Sequence, residues 1–210
     1  MACQIVQGLN KSPGCVKVRT IVGDVDASTI KTLREEVDES VDKWSDISHI
    51  KQSLGSQLYN IRPNHEELSE MVITHIKRCF AHALTQNKND EESLASAVRN
   101  VVPHLHGKHG QCGNWCGYTK NPETYKHRGL PHGKDLTSLP LKEKLTNIFE
   151  VYAASSKKLA PLGSSQRNES FNNIVASKTA KSRHYGGSEN NDFRVTAAVY
   201  KQNIGRSYLV

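Results

Sequence analysis

Apolar residues recur at helical spacing along most of this chain, and the exceptions are short. The segment "CVKVRTIV" (15–22) alternates apolar and basic residues and closes on two apolar ones, which predicts a strand. Ser28 offers an N-cap, and Ile30, Leu33 and Val37 follow three and four apart, predicting a short amphipathic helix that the polar run "DESVDKWSD" breaks. A second helix is expected over about 46–61, with Ile47, Ile50, Leu54 and Leu58 on one face and Pro63 beyond its end. "HEELSEMVITHIKRCFAHALTQN" (65–87) and "DEESLASAVRNVVPHL" (90–105) carry the same periodicity, the latter ended by Pro103. Helix resumes over 141–160, again after "PLGSS" in "SQRNESFNNIVASKT", and a last time in "DFRVTAAVYKQN". Between the fourth and fifth helices the periodicity vanishes. Residues 104–134 are rich in His, Gly, Cys and Pro, and so long a loop is usually functional or pinned by something.

One strand followed almost wholly by helix is an incomplete pattern. A lone strand makes no sheet, so partner strands are expected outside the chain or very short, as in a fragment of a larger fold. The length, 210 residues, suits one domain or one domain with a sizeable insertion. The formal charge of +7 is spread along the chain and is no basic tail; it reads either as solvated charged faces or as affinity for a polyanion, most often nucleic acid. "MACQIVQGLN" lacks the apolar core of a signal peptide, and no apolar run is long enough to span a membrane. Five cysteines in a Lys-rich chain argue for a reduced compartment over a disulfide framework.

The strand runs into "VGDVDAST", which places Asp24 and Asp26 on one side of the chain at a strand end. A polar turn capping the next helix accounts for them without chemistry. An EF-hand loop would use Asp24, Asp26, Ser28 and Glu35, but Thr29 stands where the sharp turn needs Gly. "DVDAS" approximates the nucleophile motif of haloacid-dehalogenase-type phosphotransferases, without the downstream acids that motif needs. The third reading is the strand-end Asp of an RNase H-like nuclease, which holds a divalent metal with distant carboxylates. It requires an acid on a late helix, and Glu169 is the only acid between Glu150 and Glu189. Asp46 and His49, three apart, share a helix face as an N-cap with a surface His or as a metal-proximal pair.

In the irregular loop His109, Cys112 and Cys116 give H-x2-C-x3-C, with His104, His106, His127 and His132 nearby. Two Cys and two His suit tetrahedral Zn2+. Cys112 and Cys116 are the firm ligands, and His109 and His127 are chosen as the others. Trp115 and Tyr118 would either stack on a base or shield the site.

"VGDVDAST", "KWSDISHIKQSLGSQLYN", "HGKHGQCGNWCGY", "YKHRGLPHGKDL", "LAPLGSSQRNESFNN" and "HYGGSENNDFRVTAAVYKQNIG" occur in this order. Together they resemble Mutator-like element transposases of the animal type, over about residues 15–208. Each motif alone is weak; the ordered set is specific. The resemblance implies an α/β fold: a partial RNase H-like core over 1–61, a mostly α-helical insertion over 62–160 containing the zinc-like loop, and C-terminal core helices over 161–210. It implies a DDE triad in which Asp24 is the second acid and Glu169 the third. Asp46 and His49 form the supporting DxxH pair, and Asp26 takes a turn or supporting role. Asp24 and Glu169 would hold Mg2+ or Mn2+. The implied partners are transposon ends and target DNA, with self-association, no membrane and a nuclear location (cytoplasmic if the chain is truncated and unused). The first acid of the triad should precede Asp24, yet residues 1–23 contain no Asp or Glu. Such a chain is expected to be inactive alone. The competing expectation is a non-catalytic DNA- or protein-binding domain derived from a transposase.

Overall fold

The computed structural model describes residues 17–23, 27–178 and 189–205. The chain divides into two compact units, residues 1–163 and 164–210. The described residues are mostly helical, with two short strands.

The first unit opens with β1 (Thr20–Val22), α1 (Ala27–Glu36) and β2 (Asp42–Trp44). The strands pair in parallel, with Thr20 opposite Asp42 and Val22 opposite Trp44. A parallel pair needs a crossover, and α1 supplies it, burying Ile30 and Leu33 while Val41 closes the layer from the loop after it. The second strand lies inside "DESVDKWSD", which reads in sequence as a helix-breaking polar run. Three residues carry too little alternation to announce a strand; pairing with β1 makes it one. Asp38 shapes the approach, accepting from the Ser40 backbone N–H at 2.8 Å in a tight Asx-type turn.

Four longer helices follow: α2 (Ile47–Ile61), α3 (Glu70–Gln86), α4 (Glu91–Leu105) and α6 (Leu139–Ala154). The caps are side chains of the favoured kinds. Asp46, Ser69, Asp90 and Ser138 each accept a backbone N–H at the start of α2, α3, α4 and α6 respectively. The capping Ser69 makes α3 begin five residues later than periodicity alone suggests. One continuous core joins these helices through Leu54, Leu58, Ile76, Phe80, Leu94, Val98, Leu145 and Phe149. Each fully buried side chain of this size contributes about 1.5–3 kcal/mol. Phe80 meets Phe149 edge-on at 5.9 Å and Tyr152 at 5.1 Å between ring centroids.

Three departures from the sequence pattern shape the functional region. Pro103 does not end α4; the helix runs on to Leu105, because a proline near a C-terminus removes only one backbone donor. The 141–160 helix breaks at Ser155 into α6 and the short α7 (Ser156–Leu159). The loop between α4 and α6 contains the single-turn α5 (Gly117–Lys120) and sends Leu130 and Leu136 into the core. After α7 the chain returns to the sheet. Gly163 sits so close to Val22, Trp44 and Ser45 that a Cβ would lie 2.8 Å from Val22 Cγ1, and its carbonyl accepts from Ile47 N–H at 3.0 Å.

The second unit is α8 (Gln166–Lys178) packed with α9 (Glu189–Ile204). Ser164 accepts the Gln166 N–H at 3.3 Å, as expected of the "GSS" start. Among the described residues no helix is long and apolar enough to cross a membrane.

Candidate metal centre and carboxylate positions

The continuation of α4 past Pro103 puts His104 on the helix's last turn, fully buried. Gly107 then ends the helix at φ 75°, the left-handed conformation that turns a helix C-terminus into a loop. The turn brings His109, Cys112 and Cys116 back over His104, with Cys112 N–H donating to the His109 carbonyl at 3.1 Å. All four side chains are buried, and one donor atom from each lies within 4.8 Å of the other three. His104 Nδ1 lies 3.2 Å from His109 Nδ1, 3.3 Å from Cys112 Sγ and 3.7 Å from Cys116 Sγ. His109 Nδ1 lies 3.8 Å from Cys112 Sγ and 3.5 Å from Cys116 Sγ.

Those separations have a simple meaning. With Zn–N near 2.05 Å and Zn–S near 2.3 Å, a tetrahedral Cys2His2 ion has an N–N edge of about 3.3 Å and N–S edges of about 3.5 Å. The observed edges match this within a few tenths of an ångström. The buried Cys2His2 cluster can therefore hold a structural metal such as zinc. With four protein ligands it has no open position for a substrate.

The surroundings fit the same role. Asn100 donates to Cys112 Sγ at 3.5 Å. Tyr118 stacks on the His109 ring at 4.3 Å, and Trp115 leans on His104 at 4.7 Å, so the aromatic residues shield the cluster. Burial, with the neighbouring imidazoles of His127, His109 and His75, pushes His104 down to about 3, leaving the neutral ring that a metal ligand requires. Burial pushes the Cys112 thiol up to about 11, partly countered by the Asn100 hydrogen bond. A divalent cation would reverse that and hold it as thiolate.

His127 stands beside the cluster, not in it. Its Nε2 faces the His104 carbonyl at 3.0 Å and Asp135 at 3.4 Å, and its Nδ1 meets the Tyr125 hydroxyl at 3.1 Å. The sequence pattern placed His127 in the fourth position; in the cluster that position is His104. With Pro103 read as a helix end, His104 was one of several loop histidines, and spacing alone could not single it out. Loop and helices interlock around these groups. A Cβ on Gly129 would collide with the His75 ring, and one on Gly107 with the Asp135 carboxylate.

Asp24 and Asp26 lie outside the described residues. Asp46 is buried, and one of its carboxylate oxygens accepts from Ser48 N–H at 2.7 Å and His49 N–H at 3.2 Å, so it caps α2. His49 is half-buried in the first turn of that helix. In the second unit Glu169 is exposed in the first turn of α8 and accepts from the Ser165 hydroxyl at 3.0 Å. It lines a hollow of about 510 Å³ with Gln166, Ser170, Asn173, Ser177 and Lys201.

A search of curated proteins and a search of solved structures each returned no match. A protein-family model described as Mutator-like transposase matches residues 1–116, just over half the chain.

Proposed function

The chain belongs to the Mutator-like transposase family, and from that membership we propose that it serves DNA transposition, acting on transposon ends and target DNA in the nucleus. The observation that carries this is the family match over 1–116, which spans the strand-end motif, the α2 motif and the Cys2His2 cluster. The finer reading, of the animal type, assigns β1, α1 and β2 to an RNase H-like core and the α3–α7 region to its helical insertion. The parallel pair joined by a helix supports such a core. Asp24 and Glu169 supply two of the three carboxylates, and Asp46 with His49 braces the start of α2. When bound there, Mg2+ or Mn2+ would supply activation of water or a DNA 3′-hydroxyl for in-line attack on a phosphodiester. The chain's own part is to position Glu169 at a helix start, beside neutral amides that approach a DNA backbone without charge repulsion. Zn2+ bound by His104, His109, Cys112 and Cys116 would hold the end of α4 against the loop that follows.

A second reading is a DNA- or protein-binding domain without chemistry. Mn2+ titration followed by electron paramagnetic resonance separates the two. The catalytic reading expects weak Mn2+ binding that Glu169→Gln abolishes; binding indifferent to Glu169 leaves the second. Both expect salt-sensitive duplex binding, and its absence at about 50 mM salt would sink the DNA assignment altogether.

A further inference from the structure

Three elements of the first unit converge on a hollow of about 310 Å³ lined by Arg34 of α1, Asp42, Lys43 and Trp44 of β2, and Lys157 and Lys158 of α7. Ile30 and Trp44 give it an apolar lining. Four cations and one carboxylate share this small space. Like charges held this close repel one another unless an anion joins them.

Two contacts to backbone carbonyls help hold these elements together. Ser45 N–H donates to the Lys158 carbonyl at 3.0 Å, fixing α7 against β2. Arg34 uses its Nε–H on the Val41 carbonyl at 3.0 Å, which pins the guanidinium at the rim. Its terminal NH2 groups, with the ammonium groups of Lys157 and Lys158, form no ion pair among the described residues. Lys157 and Lys158 are exposed. Ile30 and Arg34 also line an adjoining hollow with Lys31, Glu35 and Glu39.

The geometry points to this hollow as a contact for the phosphodiester backbone of duplex DNA, with Arg34, Lys43, Lys157 and Lys158 as phosphate ligands. The choice of duplex DNA rests on the transposition reading above. Four cations from three separate elements exceed what one phosphate takes up and suit successive phosphates of a strand. Lysines and an arginine without base-reading amides read charge and position, not sequence.

Fluorescence anisotropy of the full chain with a labelled duplex, over a series of salt concentrations, tests this. Replacing Lys157→Ala and Lys158→Ala together is expected to weaken binding equally for unrelated duplex sequences. It should also lower the slope of log K against log salt by about 1 for each lysine. The charge reversal Lys157→Glu with Lys158→Glu should deepen the loss. Both side chains are exposed, so an unchanged melting temperature in the same samples excludes misfolding as the cause. If wild type binds duplex and the double variants keep its slope, this surface is overturned while the transposition reading stands. If wild type binds no duplex, both fall together.

Discussion

The Cys2His2 cluster and the Glu169 helix start are two places where this chain gathers chemistry, and they are built in opposite ways. Four ligands of the cluster come from thirteen consecutive residues, 104–116, and all are buried. Glu169 is exposed, on a different unit from the strand-end motif and far from it in sequence. A soft-metal site closed upon itself is a folding device: the bound ion takes the place of core that a glycine-rich loop cannot build. An exposed carboxylate contributes little to folding. The contrast separates what would unfold this protein from what would only silence it.

Removing the metal should show the largest effect. Metal analysis of the purified chain is expected to give one zinc per molecule. Cys112→Ser should lose it and lower the melting temperature by about 6–12 °C, the equivalent of roughly 3 kcal/mol or more in a chain of this size. A wild-type protein free of zinc would erase the contrast. Gly107→Ala comes next, because it forces a left-handed residue and a collision with Asp135. A loss of about 1–3 kcal/mol in chemical denaturation is expected. His127→Asn should cost less, about 1–2 kcal/mol for the hydrogen bond to the His104 carbonyl, and should leave one zinc bound. His104→Asn should release the metal, so zinc content of the two variants decides which histidine is the fourth ligand.

Glu169→Gln marks the other side of the comparison. An exposed substitution of this kind should move stability by no more than about 0.5 kcal/mol. The smallest effect concerns Asp38 at the turn into β2. Hydrogen bonds from the Ser40 side chain and backbone, with Lys17 at 3.0 Å, hold its carboxyl down to about 2 from an ordinary 3.8. A carboxylate lowered by folding adds stability that is complete above its unfolded value and fades as pH falls from about 4 toward 2. An Asp38→Asn variant should therefore show a slightly shallower acid dependence in that window, by circular dichroism, and no difference from wild type in that dependence at neutral pH.

Much of this was legible along the chain. Ile47, Ile50, Leu54 and Leu58 mark α2 because burial on one face of a helix imposes a 3.6-residue period that no other element shares. Asp46 caps where the apolar pattern begins. Cys112, Cys116 and His109 could be grouped because a zinc knuckle draws its ligands from short, local spacing. The tertiary structure alone decided β2, since three residues become a strand only when a distant parallel partner satisfies their backbone groups. It also decided His104. That choice depends on a helix carried past Pro103 by packing, which sets the ring inside a tetrahedron whose corners the sequence lists without ranking. The same holds for the basic hollow, where Arg34, Lys43, Lys157 and Lys158 are single charges in sequence. They become one surface because β2 and α7 are hydrogen-bonded through Ser45 and Lys158. Local periodicity and capping act between neighbours and can be read from a sequence; convergence of distant side chains follows from how whole elements pack.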